Sequence, residues 1–422
     1  MFDPKRREAG FKLIRDPLYD YITISPRERD LVDSLLVQRL RGIKQLQFAY
    51  LVYPSAQHTR FEHSLGVMHL AGEVARCIGL DQPAVERARI AGLLHDVGHG
   101  PYSHLFESFL AKVSPKTPNH EAIGQLLLER DEEIQGALKA DFDDVMETLR
   151  RRGDVVKEVI SSGLDADKLD YLRRDSHHLG VAYGMFDLPR ILTSLRCEGN
   201  RLKADFRGTH AVDGFRHARF QMYTQVYNQH AKEIADRMFV RAAEIAVEDG
   251  DLPSRLFDFD GDREGFLSRY RSWDDASFMD LVSASARGEA KELVERVRRR
   301  RLFKRACYRE FRFLPPVAGG QMMGEDFEWE ETERYLSESS GAPRRFVFAC
   351  RLHINTKQYD GLSGSEPILL KNQQGDTEEI SNSQVVSAPR TPVMQLLVFG
   401  PEEFRDRLAT STESYVAEID VG

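Results

Sequence analysis

Apolar side chains recur every three or four positions through most of the first 250 residues, which predicts a helical run of chain. Leu31, Leu35, Leu36, Leu40 and Ile43 give residues 28–48 one apolar stripe, preceded by an extended stretch that ends in YITISP. The following VYPSAQHTRF has no such period and reads as a loop. Leu65, Met68, Ala71, Val74, Ala75 and Ile78 then mark a helix over residues 62–80, and Val85, Ala88, Ala91 and Leu94 mark another over 82–95. Helical spacing continues over 120–150, 154–180 and 210–248, while LRCEGNRLKADF resembles a small hairpin.

The pattern changes twice further on. EDGDLPSRLFDFDGDREG breaks the period near residue 250, ahead of a helical run from Phe266 to Arg305. From Tyr308 the apolar residues gather into the short runs FVFACRLHI, PILLKN and PVMQLLVFG, parted by polar turns such as QQGD and followed by a helical PEEFRDRLA. This order predicts a mainly α fold: a helical core in residues 1–250, a helical extension in 251–308 and a smaller C-terminal α/β lobe in 309–422. No repeat or low-complexity tract points to a solenoid or a disordered tail.

Composition narrows the function classes. With 41% hydrophobic residues in 422, the chain can bury a sizeable core. A net charge of -8 argues against a general nucleic-acid coating role, so any phosphate site must be local. The most basic stretch, RVRRRRLFKR, reads as a solvated helix face. Cys77, Cys197, Cys307 and Cys350 lie far apart without a CxxC pair, which fits packed thiols in a reducing compartment. The charged N-terminus lacks the apolar core of a signal peptide, and no stretch reaches the roughly 18 apolar residues of a membrane span. A cytoplasmic location without membrane contact is the expectation.

The chemistry concentrates in GLLHDVGHGPYSH, residues 92–104. His95 and Asp96 end an apolar run, where an unpartnered polar group costs several kcal/mol, and a shared metal ion would be a partner. Gly98, Gly100 and Pro101 stop the helix and return His99 and His104 over the same mouth. His63 and Asp167, on other predicted helices, complete a set of imidazoles and carboxylates that suits Mn, Mg, Fe, Co, Ni or Zn. Lys168, Tyr171 and Asp175, spaced i, i+3 and i+7, put a cation, a phenol and a carboxylate on one helix face. Arg219, Tyr223 and Tyr227 lie four apart on another predicted helix.

Taken in order, HTRFEHSLGV, LLHDVGHGPYSH, NHE and DADKLDYLRRDSHHLG resemble the HD-domain phosphohydrolases, above all the deoxynucleoside triphosphate (dNTP) triphosphohydrolases. RDPLYDYITISP, QRLRGIKQL and RRRLFK extend the likeness over roughly residues 10–308; the remainder resembles nothing named, and no SAM domain is recognised. The resemblance implies an HD-domain catalytic core with His63, His95, Asp96 and Asp167 holding one divalent metal ion. It places His104 as proton donor to the leaving 5′-oxygen, oriented by Glu107 where the family usually has Asp, and an added methylene there would shift the histidine. His99 and His120 match histidines that bind the reacting phosphate, transfer protons or hold a second ion.

Arg60, Lys168 and Arg219 match phosphate-binding cations, Tyr171 and Asp175 match sugar contacts, Gln45 and Leu46 match the pair around the 2′ and 3′ carbons, and Tyr227 matches an aromatic beneath the deoxyribose. Lys12, Asp33, Gln38 and Arg41 match residues that read a nucleotide activator, although Arg15 stands where the animal enzyme has an asparagine. The expected function is therefore hydrolysis of a dNTP to deoxynucleoside and inorganic triphosphate by a nucleotide-regulated homo-oligomer, dimer or tetramer. The alternatives are an HD phosphodiesterase or nuclease acting on cyclic or oligonucleotide esters, and a non-catalytic nucleotide sensor.

Overall fold

A computed structural model describes residues 9–150, 153–324, 326–354, 368–372, 376–379 and 393–421 of the chain. Within them the fold is mainly α, with three small sheets. The extended stretch at the start is one arm of a hairpin: β1 (Lys12–Asp16) pairs antiparallel with β2 (Asp20–Ile24). Asp16 closes its turn by accepting the backbone N–H groups of Leu18 and Tyr19 at 2.8 and 3.2 Å.

The helix expected over residues 28–48 is broken into Pro26–Asp33, Leu35–Gln38 and a 3-10 turn, Arg39–Gly42. Ser34 causes the break. Its backbone is extended (ψ 145°), its hydroxyl donates to Leu31 O, and its oxygen accepts from Val37 N–H, so one residue ends the first helix and caps the second. The expected stripe of Leu31, Leu36, Leu40 and Ile43 is still buried, but Leu35 faces solvent at 72% exposure.

The two central helices, α1 (Arg60–Cys77) and α2 (Gln82–Leu94), pack against each other, the second started by Asp81 accepting from Ala84 N–H. α3 (His104–Val113) and α4 (His120–Leu128) follow. The run over 154–180 is split into Val155–Ile160 and α5 (Ala166–Leu179), because Asp165 accepts from the backbones of Ser162 and Lys168 and so starts a new helix. The run over 210–248 is split as well. α6 (Thr209–Met222) widens into a π-helical turn at Tyr223–Tyr227, and the Gln229 side chain then caps α7 (His230–Glu248).

Residues 195–206 form the expected hairpin, β3 (Leu195–Glu198) and β4 (Arg201–Asp205). The helical extension ends in α8 (Gly288–Arg298), after which Arg298–Arg301 of the basic run are exposed. The three later apolar runs form β6 (Phe348–Ile354), β7 (Leu369–Lys371) and β9 (Val393–Gly400), to which the structure adds β5 (Lys304–Glu310), starting within the run expected to be helical to Arg305, and β8 (Thr377–Glu379); α9 (Arg405–Val421) follows. β5, β9 and β6 make one antiparallel sheet, on which α9 packs. β7 departs from the lobe and joins β4 in parallel, a long-range pairing that tethers the lobe's sequence to the core. The QQGD turn lies mostly outside the described residues. No helix among the described residues is long and apolar enough to cross a membrane.

Candidate metal centre and adjoining cavity

Two glycines let backbones approach and so position the chemistry. A Cβ on Gly66 of α1 would lie 1.9 Å from Asp170 Oδ1, and one on Gly98 would lie 2.0 Å from His120 O, so α5 and α4 come close only because both side chains are absent. α1 and α5 thereby set His63 against two carboxylates: Nδ1 lies 2.9 Å from Asp170 Oδ2, and Nε2 lies 3.1 Å from Asp167 Oδ1. Asp170 also accepts from Arg174 Nε and Nη2 and from the Tyr19 hydroxyl, and Arg174 reaches Asp16 at 3.0 Å. A carboxylate anchored on every side fixes the imidazole with Nε2 toward Asp167 and Asp96.

α2 ends at Leu94, and the next two side chains enter the same space. His95 Nδ1 bonds Gly92 O at 2.8 Å, which leaves its buried Nε2 without a hydrogen-bond partner although Asp96 Oδ1 is 3.2 Å away. Asp96 Oδ2 accepts from Arg60 Nη1 at 2.5 Å and lies 3.8 Å from His63 Nε2. His63, His95 and Asp167 each offer a ligand atom within 4.8 Å of the others. Two imidazoles oriented through Nδ1, an orphaned Nε2 and two adjacent carboxylates fit a divalent ion. Burial opposes charging of His63, but Asp167, Asp170 and Asp96 outweigh it and lift its pKa to about 10. Burial likewise acts against the Asp96 carboxylate, and the surrounding His95, Arg60 and His99 overcome it and hold the pKa well below the usual range.

Beyond Asp96 the chain turns under strain. Tyr102 and Ser103 have φ of 54° and 55°, a left-handed conformation that costs a non-glycine residue about 1–3 kcal/mol. Tyr102 N–H is held by Asp275 Oδ1 at 2.6 Å, and buried Ser103 Oγ accepts from Arg60 Nε at 2.6 Å. The turn delivers His104 beside His99 and His120, with His99 and His120 stacked at 3.8 Å between ring centres. One carboxylate orients two of these rings: Glu107 lies 2.8 Å from His104 Nδ1 and 2.7 Å from His120 Nδ1. Burial would raise Glu107, but those two partners prevail and keep it ionised. His99 is held neutral, first by burial and then by the Arg60 charge.

A cavity of about 530 Å³ adjoins this cluster. Gln45, Leu46, Arg60, His104, Tyr171, Asp175 and Tyr227 line it, and all seven were singled out in the sequence. Asp175 accepts from the Tyr227 hydroxyl at 2.6 Å and sits 2.7 Å from His58 Nε2. Lys168 and Arg219 do not line this cavity. Lys168 Nζ lies 2.6 Å from Asp165 Oδ2, and the Arg219 guanidinium sits 5.7 Å over the Tyr223 ring. His95, Asp96, His120 and Asp167 instead line a smaller opening of about 100 Å³.

The remaining singled-out residues lie elsewhere: Lys12 begins β1, Asp33 lines a separate surface depression, and Arg41 donates to Gln38 at 2.8 Å while covering the Phe61 ring. Sequence reasoning passed over Asp170, Arg174, Ser103 and Asp275, and also Lys232, Asp236 and Arg237 of α7, which line the larger cavity with Glu333 and Phe348 of the C-terminal lobe. A signal existed for the α7 group, since these charges interrupt the apolar positions Ile234, Ala235 and Met238 of a buried helix.

Comparison with known proteins bears on this arrangement. The HD domain profile matches residues 60–175, and the HD associated region profile matches residues 186–417, which includes the lobe that the motif resemblance did not reach. An uncharacterized protein of Methanocaldococcus jannaschii is 36% identical over 310 residues, 72% of this chain and 62% of its own length. The deoxynucleoside triphosphate triphosphohydrolase SAMHD1 of Homo sapiens is 30% identical over 346 residues, 69% of this chain and 54% of its own. The chain thus spans roughly six tenths of these relatives. Two solved structures match with a TM-score of 0.75: a hypothetical protein from Aquifex aeolicus, 28% identical, covering 95% of this chain and 100% of that one, and a phosphohydrolase from Bacteroides thetaiotaomicron, 26% identical, covering 93% and 100%. With the H…HD…D residues brought together on, or just past the end of, adjoining helices and the associated region following them in sequence, the chain belongs to the HD domain family.

Proposed function

We propose that this chain is a metal-dependent hydrolase that splits a dNTP into deoxynucleoside and inorganic triphosphate. One observation carries the reading: Arg60 bonds Asp96 of the metal cluster and also lines the 530 Å³ cavity, so a phosphate bound there sits against both. That volume lies in the range of small-molecule sites. His63, His95, Asp96 and Asp167 hold one divalent ion. When bound, such an ion polarises a phosphate oxygen and lowers the pKa of water from about 15.7 toward about 7.

The protein's own groups do the rest. Arg60 neutralises phosphate charge, and His104 donates a proton to the departing 5′-oxygen while Glu107 fixes its ring alongside His120. Asp175 accepts from the sugar 3′-hydroxyl, and Tyr171, Tyr227, Leu46 and Gln45 close around the sugar. Lys168 and Arg219 reach the phosphates by leaving Asp165 and Tyr223. His99, neutral and buried, stacks behind His120. The human relative, a deoxynucleoside triphosphate triphosphohydrolase, supports the dNTP substrate, and the Bacteroides neighbour, a phosphohydrolase, supports phosphate chemistry. The reading includes a homo-oligomer with a nucleotide activator at Lys12, Asp33, Gln38 and Arg41, and a C-terminal lobe whose Glu333 and Phe348 wall the cavity. Chromatography of all four dNTPs, four NTPs and a short single-stranded DNA with several divalent ions tests it: inorganic triphosphate and deoxynucleoside in equal amounts are expected, and nucleotide monophosphate products would refute it.

A second reading, an HD phosphodiesterase, is favoured by one observation. Of the three expected phosphate cations, Arg60 alone lines the cavity, which suits a single diester as well as a triphosphate. Cleavage of the DNA with no triphosphate release would establish it.

A further inference from the structure

Past Tyr227 and Asn228 the cavity wall continues along α7, and its first polar feature there is an ion pair, Lys232 Nζ to Asp236 Oδ2 at 2.6 Å. Both residues are buried, at 7% and 1% exposure. Replacing a buried ion pair with apolar groups of like size is often neutral or stabilising, so the pair has no evident purpose in the fold alone. Its hydrogen-bonding capacity is also underused. The ammonium has three protons, and its other partner is Glu233 at 3.5 Å; Asp236 Oδ1 has only a 3.4 Å contact from Phe48 N–H. On the same wall, buried Gln45 Oε1 has no partner. A cation and a carboxylate therefore stand on the same wall as the residues assigned to the sugar, with the free amide oxygen of Gln45 among the latter, and on the dNTP reading a base would lie against them.

We propose that Lys232 and Asp236 read the base and select guanine, a specificity that rests on the dNTP reading above. Guanine alone sets two donors, N1–H and N2–H₂, beside an acceptor, O6. A carboxylate takes the two donors side by side, the ammonium takes O6, and such charge-assisted pairs are about twice as strong as neutral ones. Adenine in the same orientation offers the carboxylate no donor, only the N1 lone pair and C2–H, and sets its N6 amino donor where guanine has O6. A site built to satisfy polar groups discriminates strongly, because the wrong base leaves those groups unpaired.

The test is kcat/KM for each dNTP with Mn²⁺, on the full chain and on Asp236→Asn and the double variant K232M/D236N, each first checked by thermal melting. The double variant removes both charges, so it remains informative if the single one leaves Lys232 buried and unpaired and does not fold. Wild type should favour dGTP over dATP by at least about tenfold, and the ratio should fall below about threefold in the variants. A flat wild-type profile, or a preference that survives in both variants, overturns the proposal. If no dNTP is hydrolysed, the hydrolase reading fails and equilibrium binding decides the base reading alone. Tighter dGTP than dATP binding that is lost in the variants upholds it, and equal or undetectable binding overturns it.

Discussion

Replacing Asp170 with Asn tests whether the metal cluster depends on the carboxylate behind it. Asp170 touches no expected ligand except His63, whose Nδ1 it holds at 2.9 Å, and it also carries Arg174 and Tyr19. Asn keeps the shape and one accepting oxygen but loses the charge, so His63 is less firmly oriented and less basic at Nε2. Substitutions at this position relative to a metal cost about 10–100-fold in affinity, equivalent to about 1.4–2.7 kcal/mol. Stability falls too, because buried Arg174 is left with Asp16 as its charged partner, and breaking a buried pair costs about 3–5 kcal/mol, toward the lower end where one hydrogen bond survives.

Asp16→Asn separates the two effects. It weakens the same Arg174 pair without touching His63, so it should lower the melting temperature and leave metal affinity within about twofold. The assay is Mn²⁺ titration of metal-free protein by calorimetry, with melting followed by circular dichroism. A folded Asp170→Asn protein that binds Mn²⁺ as tightly as wild type would refute the reasoning.

Three further outcomes are expected. His95→Ala and Asp96→Ala should each abolish hydrolysis through loss of bound metal, measured by elemental analysis beside activity; metal and turnover retained in His95→Ala would contradict the ligand assignment. Glu107→Gln should lower kcat by about 10²-fold or more with metal content unchanged, because His104 and His120 lose their shared charged anchor, while Glu107→Asp should retain most of the rate. Burial, then His58 and Arg174, draw the pKa of His178 down to about 4. The unfolded chain, with a histidine near about 6.5, therefore binds the proton first, so stability is complete above that value and drains away between about pH 6.5 and 4, by about 1.4 kcal/mol at pH 5.5. Urea unfolding across this window should show the slope reduced in His178→Gln, and equal slopes would dismiss it.

The helices over 60–77 and 82–94 and the hairpin at 195–205 were legible because one local period, bounded by a cap or a glycine, decides each of them. The breaks at Ser34, Asp165 and Gln229 were hidden inside continuous apolar patterns, since a polar side chain that caps a new helix does not interrupt the stripe on either side. The parallel pairing of β7 with β4 joins residues far apart in the chain, and no local signal encodes it. In the site, ordered motifs drew attention to side chains that gather in the His/Asp cluster or line the cavity. The residues that hold those side chains in place were harder to see: Asp170 looks like any helix carboxylate until Gly66 brings it against His63, and Asp275 reaches the strained Tyr102 turn from a distant helix. Lys168 and Arg219 show the converse, since they share helices with cavity-lining residues, yet Lys168 pairs with Asp165, Arg219 lies over Tyr223 and neither lines the cavity.

The central claim is that two imidazoles and two carboxylates, carried on or just past the end of adjoining helices, share one divalent cation. Anomalous diffraction from crystals soaked in Mn²⁺ tests it most directly. The account predicts a strong peak between His63, His95, Asp96 and Asp167 that disappears in His95→Ala. A peak only among His99, His104 and His120, or none at saturating Mn²⁺, would contradict it.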